Sequence, residues 1–237
     1  MKPGKKLTAL ERVLNLLESL HGPSPRLRVS DPLGMILLEN VAYLQTDERR
    51  AAAYSALERR VGLSASKILA APREALLEIA KMGGMRPETR VERLIFIARV
   101  AQMEFGGDLR KALKLPPKQA RKALKMFPCI GEPGAEKILL FSKTEPILAL
   151  ESNGLRVLVR VGYGRAHKNY STEYRSAQEA ASKELPQDCT ARIRAFQLLR
   201  QHGQEICRRA EPLCTSCPLT GVCAFYENQN PARSRGI

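Results

Sequence analysis

The chain has 237 residues, with 39 Lys or Arg against 24 Asp or Glu and a formal net charge of +15. Such an excess favours a polyanionic partner, of which nucleic acid is the usual one. The first residues lack the apolar core of a secretory signal, and no later apolar run is long enough to cross a membrane. We therefore expect a cytoplasmic protein with reduced thiols and no membrane partner.

Helical periodicity runs through most of the chain. Apolar residues recur at three and four positions, whereas period-two alternation over strand lengths is hard to find. The pattern predicts an all-α protein, with turns at Gly22-Pro23, Asp31-Pro32, Gly83-Gly84, Gly106-Gly107, Pro116-Pro117 and 131–134. The helical pattern is clearest in the segments 7–20, 53–62, 64–83, 90–105 and 191–203.

A basic run lies between residues 110 and 125, and it contains no acidic residue. One interpretation is a basic surface that serves only solubility, but the clustering of the charges favours a face that binds phosphates. Such a face predicts salt-sensitive binding without base specificity. Its members are Arg110, Lys111, Lys114, Lys118, Arg121, Lys122 and Lys125, of which Lys118, Arg121 and Lys122 are our candidate DNA contacts.

A glycine-containing hairpin follows the basic run. Residues 127–139 are typical of a helix, a tight turn and a second helix, with Pro133 suited to the first turn of that helix. The amide N–H groups at such a helix start can bind a phosphate oxygen, and glycine permits its close approach. Gly131 and Gly134 are therefore candidate DNA-binding residues.

Four cysteines near the C-terminus stand in the spacing C-x6-C-x2-C-x5-C: Cys207, Cys214, Cys217 and Cys223. The alternatives are a [4Fe–4S] cluster, a structural zinc ion or two disulfides. Four-cysteine zinc sites usually contain two C-x-x-C pairs, and this chain has one, so the spacing favours the cluster. Disulfides are disfavoured in a reducing compartment. The remaining cysteines, Cys129 and Cys189, are interpreted as ordinary thiols.

Together these motifs resemble the helix-hairpin-helix DNA glycosylase superfamily, in the iron–sulfur branch of endonuclease III and the MutY-type adenine glycosylases. The similarity rests on His202-Gly203 with the cysteine loop, on the hairpin at 127–131, on the strip at 150–160 and on 41–46. It implies a two-lobed fold, with a helical bundle at 31–146 that ends in the hairpin. Residues 1–30 plus 147–237 would form the cluster domain, with a loose tail at 228–237.

The resemblance also implies roles for individual residues. Glu151 occupies the position of the family's catalytic aspartate, with an arm longer by one methylene; a helix-start glutamate pairing with the helix dipole is the alternative interpretation. Tyr43, Leu44 and Gln45 would fill the gap left by an extruded base. Arg156, Arg208 and Arg209 would contact DNA, and the cluster would hold their loop.

Two departures from the family pattern limit the chemistry. Bifunctional members use a lysine where this chain has Pro133, which offers no amine for a Schiff base. Lys137 lies one turn further along and is a weak candidate nucleophile, because a lysine near DNA is more often a phosphate contact. Asn40 stands where the MutY type has a second catalytic glutamate, and Glu39 lies one place away.

These observations lead to two functional hypotheses. The first is a monofunctional DNA glycosylase, a nucleoid-associated monomer that hydrolyses an N-glycosidic bond in double-stranded DNA at a damaged or mispaired base. The second is a non-catalytic protein that binds distorted or abasic DNA. In either case we expect the DNA to lie in the cleft between the two lobes. No linear motif specifies the base.

Overall fold

The structure is a computed structural model that describes residues 6–25 and 27–230. All regular elements in these residues are helical, which confirms the all-α prediction. The α-helices are α1 Ala9–His21, α2 Pro32–Val41, α3 Asp47–Arg60, α4 Ala65–Ala70, α5 Arg73–Lys81, α6 Pro87–Phe105, α7 Arg110–Leu113, α8 Pro117–Leu124, α9 Glu132–Phe141, α10 Ser152–Val161, α11 Tyr170–Ser182, α12 Cys189–Glu205 and α13 Ala224–Gln229. Short 3-10 turns lie at Cys214–Ser216 and Thr220–Val222.

The chain divides into two compact units, Leu27–Ser142 and Met1–Arg26 together with Lys143–Ile237. In the first unit α2, α4 and α5 pack on the long helix α6, whose Leu94 and Ile97 are fully buried. Helix α6 ends at Gly106, whose left-handed φ of 61° suits glycine. Buried residues of α7, α8 and α9 belong to the same core. This core therefore positions both helices of the hairpin.

In the second unit α10 and α1 pack on α12. Helix α1 begins with a capping box, in which the Thr8 side chain accepts from the Glu11 amide and the Glu11 side chain accepts from the Thr8 amide. The crossing of α10 and α12 requires glycine at position 203, because a Cβ there would lie 2.5 Å from the carbonyl oxygen of Asn153. The two buried helices therefore approach at backbone distance.

Two predicted features differ in detail. The apolar segment 64–83 forms two helices, because Pro72 disfavours the helical conformation at Ala71, which is extended with ψ of 140°. The tail predicted at 228–237 does not begin at 228, since α13 continues through Gln229. The amide of Asn230 then donates to the carbonyls of Tyr226 and Glu227 at 3.1 Å each. Residues 231–237 lie outside the described part.

Candidate functional site

The hairpin has the predicted helix-turn-helix form, with α8 and α9 on either side of residues 125–131. Gly131 is the N-cap of α9 and Pro133 occupies its first turn. As a glycine, the N-cap residue has no side chain to cap the amides at this helix start. The amides at a helix N-terminus attract an anion, and the helix dipole adds to that attraction. The local geometry thus suits a phosphate group near Gly131 and Gly134.

The turn of the hairpin is held by residues from other helices of the same unit. Asn40 is fully buried, and its Nδ2 donates to the carbonyl oxygens of Ile36 and Pro128 at 2.9 Å each. Cys129 has a left-handed φ of 62°, and its Sγ accepts a hydrogen bond from Arg93 Nη1 at 3.3 Å. Burial raises the pKa of the Cys129 thiol. Asn40 therefore has a structural role at the hairpin.

Glu39 and Lys137 form an ion pair in this unit. Lys137 Nζ donates to Glu39 Oε1, and Arg50 Nη2 lies 2.8 Å from Glu39 Oε2. Burial by itself raises the pKa of Glu39, but the charges of Lys137 and Arg50 outweigh burial and lower it overall. The amine of Lys137 is thus held by a carboxylate, which opposes its use as a nucleophile.

The basic run forms an exposed surface on α7, α8 and the residues beside them. Lys118 and Lys122, one helical turn apart on α8, are exposed, and Arg121 is half-buried. Two other members have acidic neighbours: Arg110 Nε lies 2.7 Å from Asp108, and Lys125 Nζ lies 2.7 Å from Glu132. The surface lies immediately before the hairpin in sequence and belongs to the same unit.

The three residues predicted as a wedge lie between α2 and α3. Leu44 is 84% exposed and has a left-handed φ of 64°, an unusual combination for a leucine. Gln45 Oε1 accepts from Arg49 Nη1 at 3.3 Å. Tyr43 is 40% exposed. An apolar side chain presented this way can enter a base stack.

A second exposed apolar residue near this loop was not predicted from the sequence. Met85 is 88% exposed. It follows Gly84, where a Cβ would lie 3.0 Å from Gln45 Nε2, so the two loops are neighbours. The signal in the sequence was Met85 directly after the predicted Gly83-Gly84 turn. Nothing in the sequence placed that turn next to residues 43–45.

Glu151 is the N-cap of α10. Its Oε1 accepts from the Gly154 amide at 2.7 Å, and its Oε2 accepts from Asn153 Nδ2 at 2.9 Å. Burial, and then the charge of Glu151, raise the pKa of Tyr170, so the tyrosine hydroxyl lies within electrostatic reach of the carboxylate. The side chain is half-buried, and both of its oxygen atoms have a donor.

Helix α10 continues this network toward the cysteine loop. Asn153 Oδ1 accepts from Arg156 Nη2 at 2.8 Å, and Arg156 also donates to the carbonyls of Gly203 at 2.6 Å and Cys207 at 2.9 Å. Burial lowers the pKa of Arg156. Its guanidinium is thus engaged within the protein, which does not favour the predicted contact with DNA.

The four cysteines follow α12 in one loop. Burial, followed by the neighbouring Cys207, Cys223 and Cys214, raises the pKa of Cys217 to about 11. The pKa of Cys223 is raised in the same way, by burial and by Cys207 and Cys214. The thiols therefore lie close enough to influence one another. Within residues 6–25 and 27–230, however, no group of three or more His, Cys, Asp or Glu side chains is arranged to hold a metal ion.

Arg160 anchors the loop, a role that was not predicted from the sequence. Its guanidinium donates to Cys207 Sγ at 3.3 Å and to the carbonyls of Arg208 at 2.8 Å and Arg209 at 3.2 Å. It also lies 4.3 Å from the centre of the Phe225 ring. These bonds hold the backbone of Arg208 and Arg209, whose side chains are exposed.

A helix-hairpin-helix in one unit and a four-cysteine loop in the other define an all-α fold of the helix-hairpin-helix DNA glycosylase class. A solved structure of endonuclease III, trapped in a covalent intermediate with DNA as an estranged-adenine complex, matches with a TM-score of 0.73 at 17% identity. The match covers 94% of this chain and 99% of that one. It confirms the predicted fold.

Sequence relatives carry names from the same class. Endonuclease III of Thermotoga maritima is 28% identical over 162 residues, which are 68% of each chain. Thymine-DNA glycosylase of Aeropyrum pernix is 29% identical over 164 residues, 68% of this chain and 69% of that protein. No protein-family model matches. The chain is therefore similar in sequence to proteins named endonuclease III and thymine-DNA glycosylase, and it has the fold of endonuclease III.

Among the described helices, none combines the length and apolar character needed to span a lipid bilayer.

Proposed function

We propose that this protein acts in base-excision DNA repair as a monofunctional DNA glycosylase, which hydrolyses the N-glycosidic bond of a damaged or mispaired base. The observation that carries the proposal is the Glu151 carboxylate, oriented by the Gly154 amide and Asn153 Nδ2. The names of the relatives, endonuclease III and thymine-DNA glycosylase, support the reaction class. The substrate is double-stranded DNA, bound by a monomer.

The carboxylate would act on the sugar. Cleavage of a glycosidic bond passes through an oxocarbenium-like state, which a nearby negative charge stabilises. The same carboxylate can orient the attacking water. Two hydrogen bonds fix its direction, and such preorganisation is what lets a carboxylate favour the transition state over the ground state. The extra methylene relative to aspartate is accommodated because both oxygens still find donors.

DNA binding would use the local features of each unit. The amides at the start of α9 would bind a phosphate, and Lys118, Arg121 and Lys122 would add sequence-independent attraction. The exposed Leu44, with Tyr43 and Gln45, would fill the space left when the target base leaves the stack. Arg208 and Arg209 would contact the backbone from the second unit.

Strand cleavage by a Schiff base is not part of the proposal. Pro133 has no amine, and Lys137 is bound to Glu39. A lysine nucleophile must be free to reach the sugar, whereas the amine of Lys137 is held by the Glu39 carboxylate. The expected product is therefore an intact strand with an abasic site.

Cys207, Cys214, Cys217 and Cys223 would hold a [4Fe–4S] cluster. The donor set suits a cluster in its chemistry, because four cysteines in one loop lie close enough to influence one another's pKa, although their described side chains do not form a metal-holding group as they stand. Arg160 offsets negative charge at Cys207. When bound, the cluster supplies a rigid, redox-capable anchor for the loop. Arg160 holds the backbone of Arg208 and Arg209, whose side chains are exposed, and Arg156 joins the loop to the strip that carries Glu151.

A second candidate function is binding without chemistry. It is favoured by the capping bond of Glu151, which by itself would explain a glutamate at the start of α10. Asn40, which is buried at the hairpin, supplies no second carboxylate. This protein would then recognise distorted or abasic DNA and leave it unchanged.

A single-turnover assay distinguishes the two functions. The substrates are duplexes with uracil or thymine opposite guanine, oxidised and alkylated bases, and abasic sites, each read with and without alkali. The comparison is wild type against Glu151→Gln, which keeps an oxygen for the Gly154 amide. Glu74→Gln is the matched control, since Glu74 is an exposed acid in the first turn of α5.

Alkali-dependent breaks that disappear in Glu151→Gln but persist in Glu74→Gln would establish the monofunctional glycosylase. Breaks without alkali would contradict the exclusion of lyase chemistry. Salt-sensitive binding to distorted duplexes, with no breaks beyond those of a protein-free control, would favour the non-catalytic function.

A further inference from the structure

Two of the chain's histidines meet beside the cysteine loop. His21 ends α1 and His202 lies in α12, and both helices belong to the same unit. Nε2 of His21 lies 3.1 Å from Nδ1 of His202, with the rings edge to face at 5.4 Å between centroids. His202 is fully buried, and the side chain of His21 is 4% exposed. The DNA-binding and catalytic roles above use neither residue.

The contact continues in both directions. Nε2 of His202 lies 3.4 Å from Cys217 Sγ, and Nδ1 of His21 lies 3.2 Å from an oxygen of Glu205. Four side chains therefore form one chain of contacts, from the exposed carboxylate of Glu205 to the sulfur of Cys217. Each ring nitrogen of both histidines has a partner in this chain.

The sulfur end determines the direction of the hydrogen bonds, because a neutral imidazole has one N–H and can donate only once along this chain. A cysteine that ligates iron is a thiolate and has no hydrogen, so the bond at this end runs from Nε2–H of His202 to the sulfur. Nδ1 of His202 then accepts from Nε2–H of His21.

We propose that His202 donates a hydrogen bond to the Cys217 sulfur of the cluster-loaded protein, that His21 fixes its orientation, and that this bond raises the cluster's reduction potential. The proposal rests on the four-cysteine cluster proposed above. Hydrogen bonds to cluster sulfurs stabilise the more negative, reduced state and tune the potential. Partners outside the ligand set orient and tune it in the same way in other metal sites. His202 is thus a positioning residue.

The test measures the reduction potential of the full-length, cluster-loaded chain by protein-film voltammetry. Iron and acid-labile sulfide are quantified first, so that loading is known for each variant. His202→Phe removes the donor, and His202→Gln restores an N–H in a similar place. The matched control is His167→Phe, since the chain's third histidine is exposed and lies outside this network.

The expected result is a shift of the potential to more negative values in His202→Phe, partial recovery in His202→Gln and no shift in His167→Phe. An unchanged potential in a fully loaded His202→Phe overturns the inference, whereas the proposed cofactor stands. A wild-type chain that holds no iron or sulfide overturns both the inference and the proposed cofactor.

A second measurement can overturn the inference on the wild-type chain alone. The protein is labelled with ¹⁵N-histidine, and the paramagnetic cluster is examined by pulsed EPR. A nitrogen coupling in the wild type that disappears in His202→Gln or His202→Phe, but not in His167→Phe, supports the bond. Absence of nitrogen coupling in the loaded wild type overturns it, even where His202→Phe fails to fold.

Discussion

Lys137 and Glu39, which are 98 residues apart in the chain, form an ion pair in which Arg50 binds the second carboxylate oxygen. The lysine on α9 and the arginine on α3 thereby share one carboxylate on α2. The pair engages the two residues that lie nearest to the altered catalytic positions of the glycosylase pattern. The lysine nearest to the usual nucleophile position is occupied, and Glu39 is committed to structure.

Replacing Glu39 should destabilise the first unit. Glu39→Gln leaves the half-buried Lys137 without its carboxylate and Arg50 with only Asp47, 3.8 Å away, and breaking such a pair costs roughly 3 kcal/mol. Urea unfolding at neutral pH measures the loss. Glu48→Gln, an exposed acid in the first turn of α3, is the control and should change stability little.

The same pair predicts a pH dependence. The folded-state pKa of Glu39 is lowered, so its stabilisation is fully present above the unfolded value, about 4.3, and is lost as pH falls through the folded value. The difference in unfolding free energy between wild type and Glu39→Gln should therefore shrink on acidification below about pH 4. A difference that stays constant with pH would contradict the ion pair.

The exposed lysines of α8 should contribute to binding without base preference. Replacing Lys118 and Lys122 together by Ala should weaken binding to all duplexes alike. It should also reduce the slope of log affinity against log salt by about 1 for each phosphate that the protein no longer binds. Fluorescence anisotropy over a salt series measures both. The control is Lys81→Ala, whose amine already pairs with Glu78 at 2.6 Å; an unchanged slope in the double variant would remove α8 from the interface.

Cys129 stores backbone strain that glycine would relieve. A left-handed φ costs an L-residue roughly 1–2 kcal/mol, so Cys129→Gly should recover part of this energy. Cys129→Ala is the matched variant, because it removes the sulfur and its bond to Arg93 while it keeps the strain. Thermal unfolding should place Cys129→Gly above Cys129→Ala. The reverse order would mean that the turn has relaxed away from the left-handed conformation.

Arg160 should control how firmly the cysteine loop holds the proposed cluster. Arg160→Ala removes donors to Cys207 Sγ and to the carbonyls of Arg208 and Arg209. Loss of a supporting partner of this kind typically weakens metal retention by about 10-fold or more. The readout is the decay of cluster absorbance in excess chelator. Arg165→Ala, an exposed arginine just beyond the end of the same helix, should decay like wild type.

Local features of the fold were readable from the sequence. Apolar spacing predicted α1, α6 and α12, and Asp31-Pro32 correctly indicated the start of α2. Glycine and proline correctly indicated the start of α9 in the hairpin. Helix periodicity, caps and breaks depend on residues a few positions apart, so a sequence determines them almost directly. The cysteine spacing likewise narrowed the choice of cofactor without any structure.

Which side chains meet across the fold was decided only by tertiary structure. Asn40 reaches Pro128 across 88 residues, and Arg156, expected to contact DNA, donates to Gly203 and Cys207. The histidine pair joins residues 181 positions apart. Such contacts depend on how helices pack, and packing follows from the shapes of many side chains together. The sequence gives the type of each of these residues, whereas the three-dimensional arrangement decides which partner each one meets.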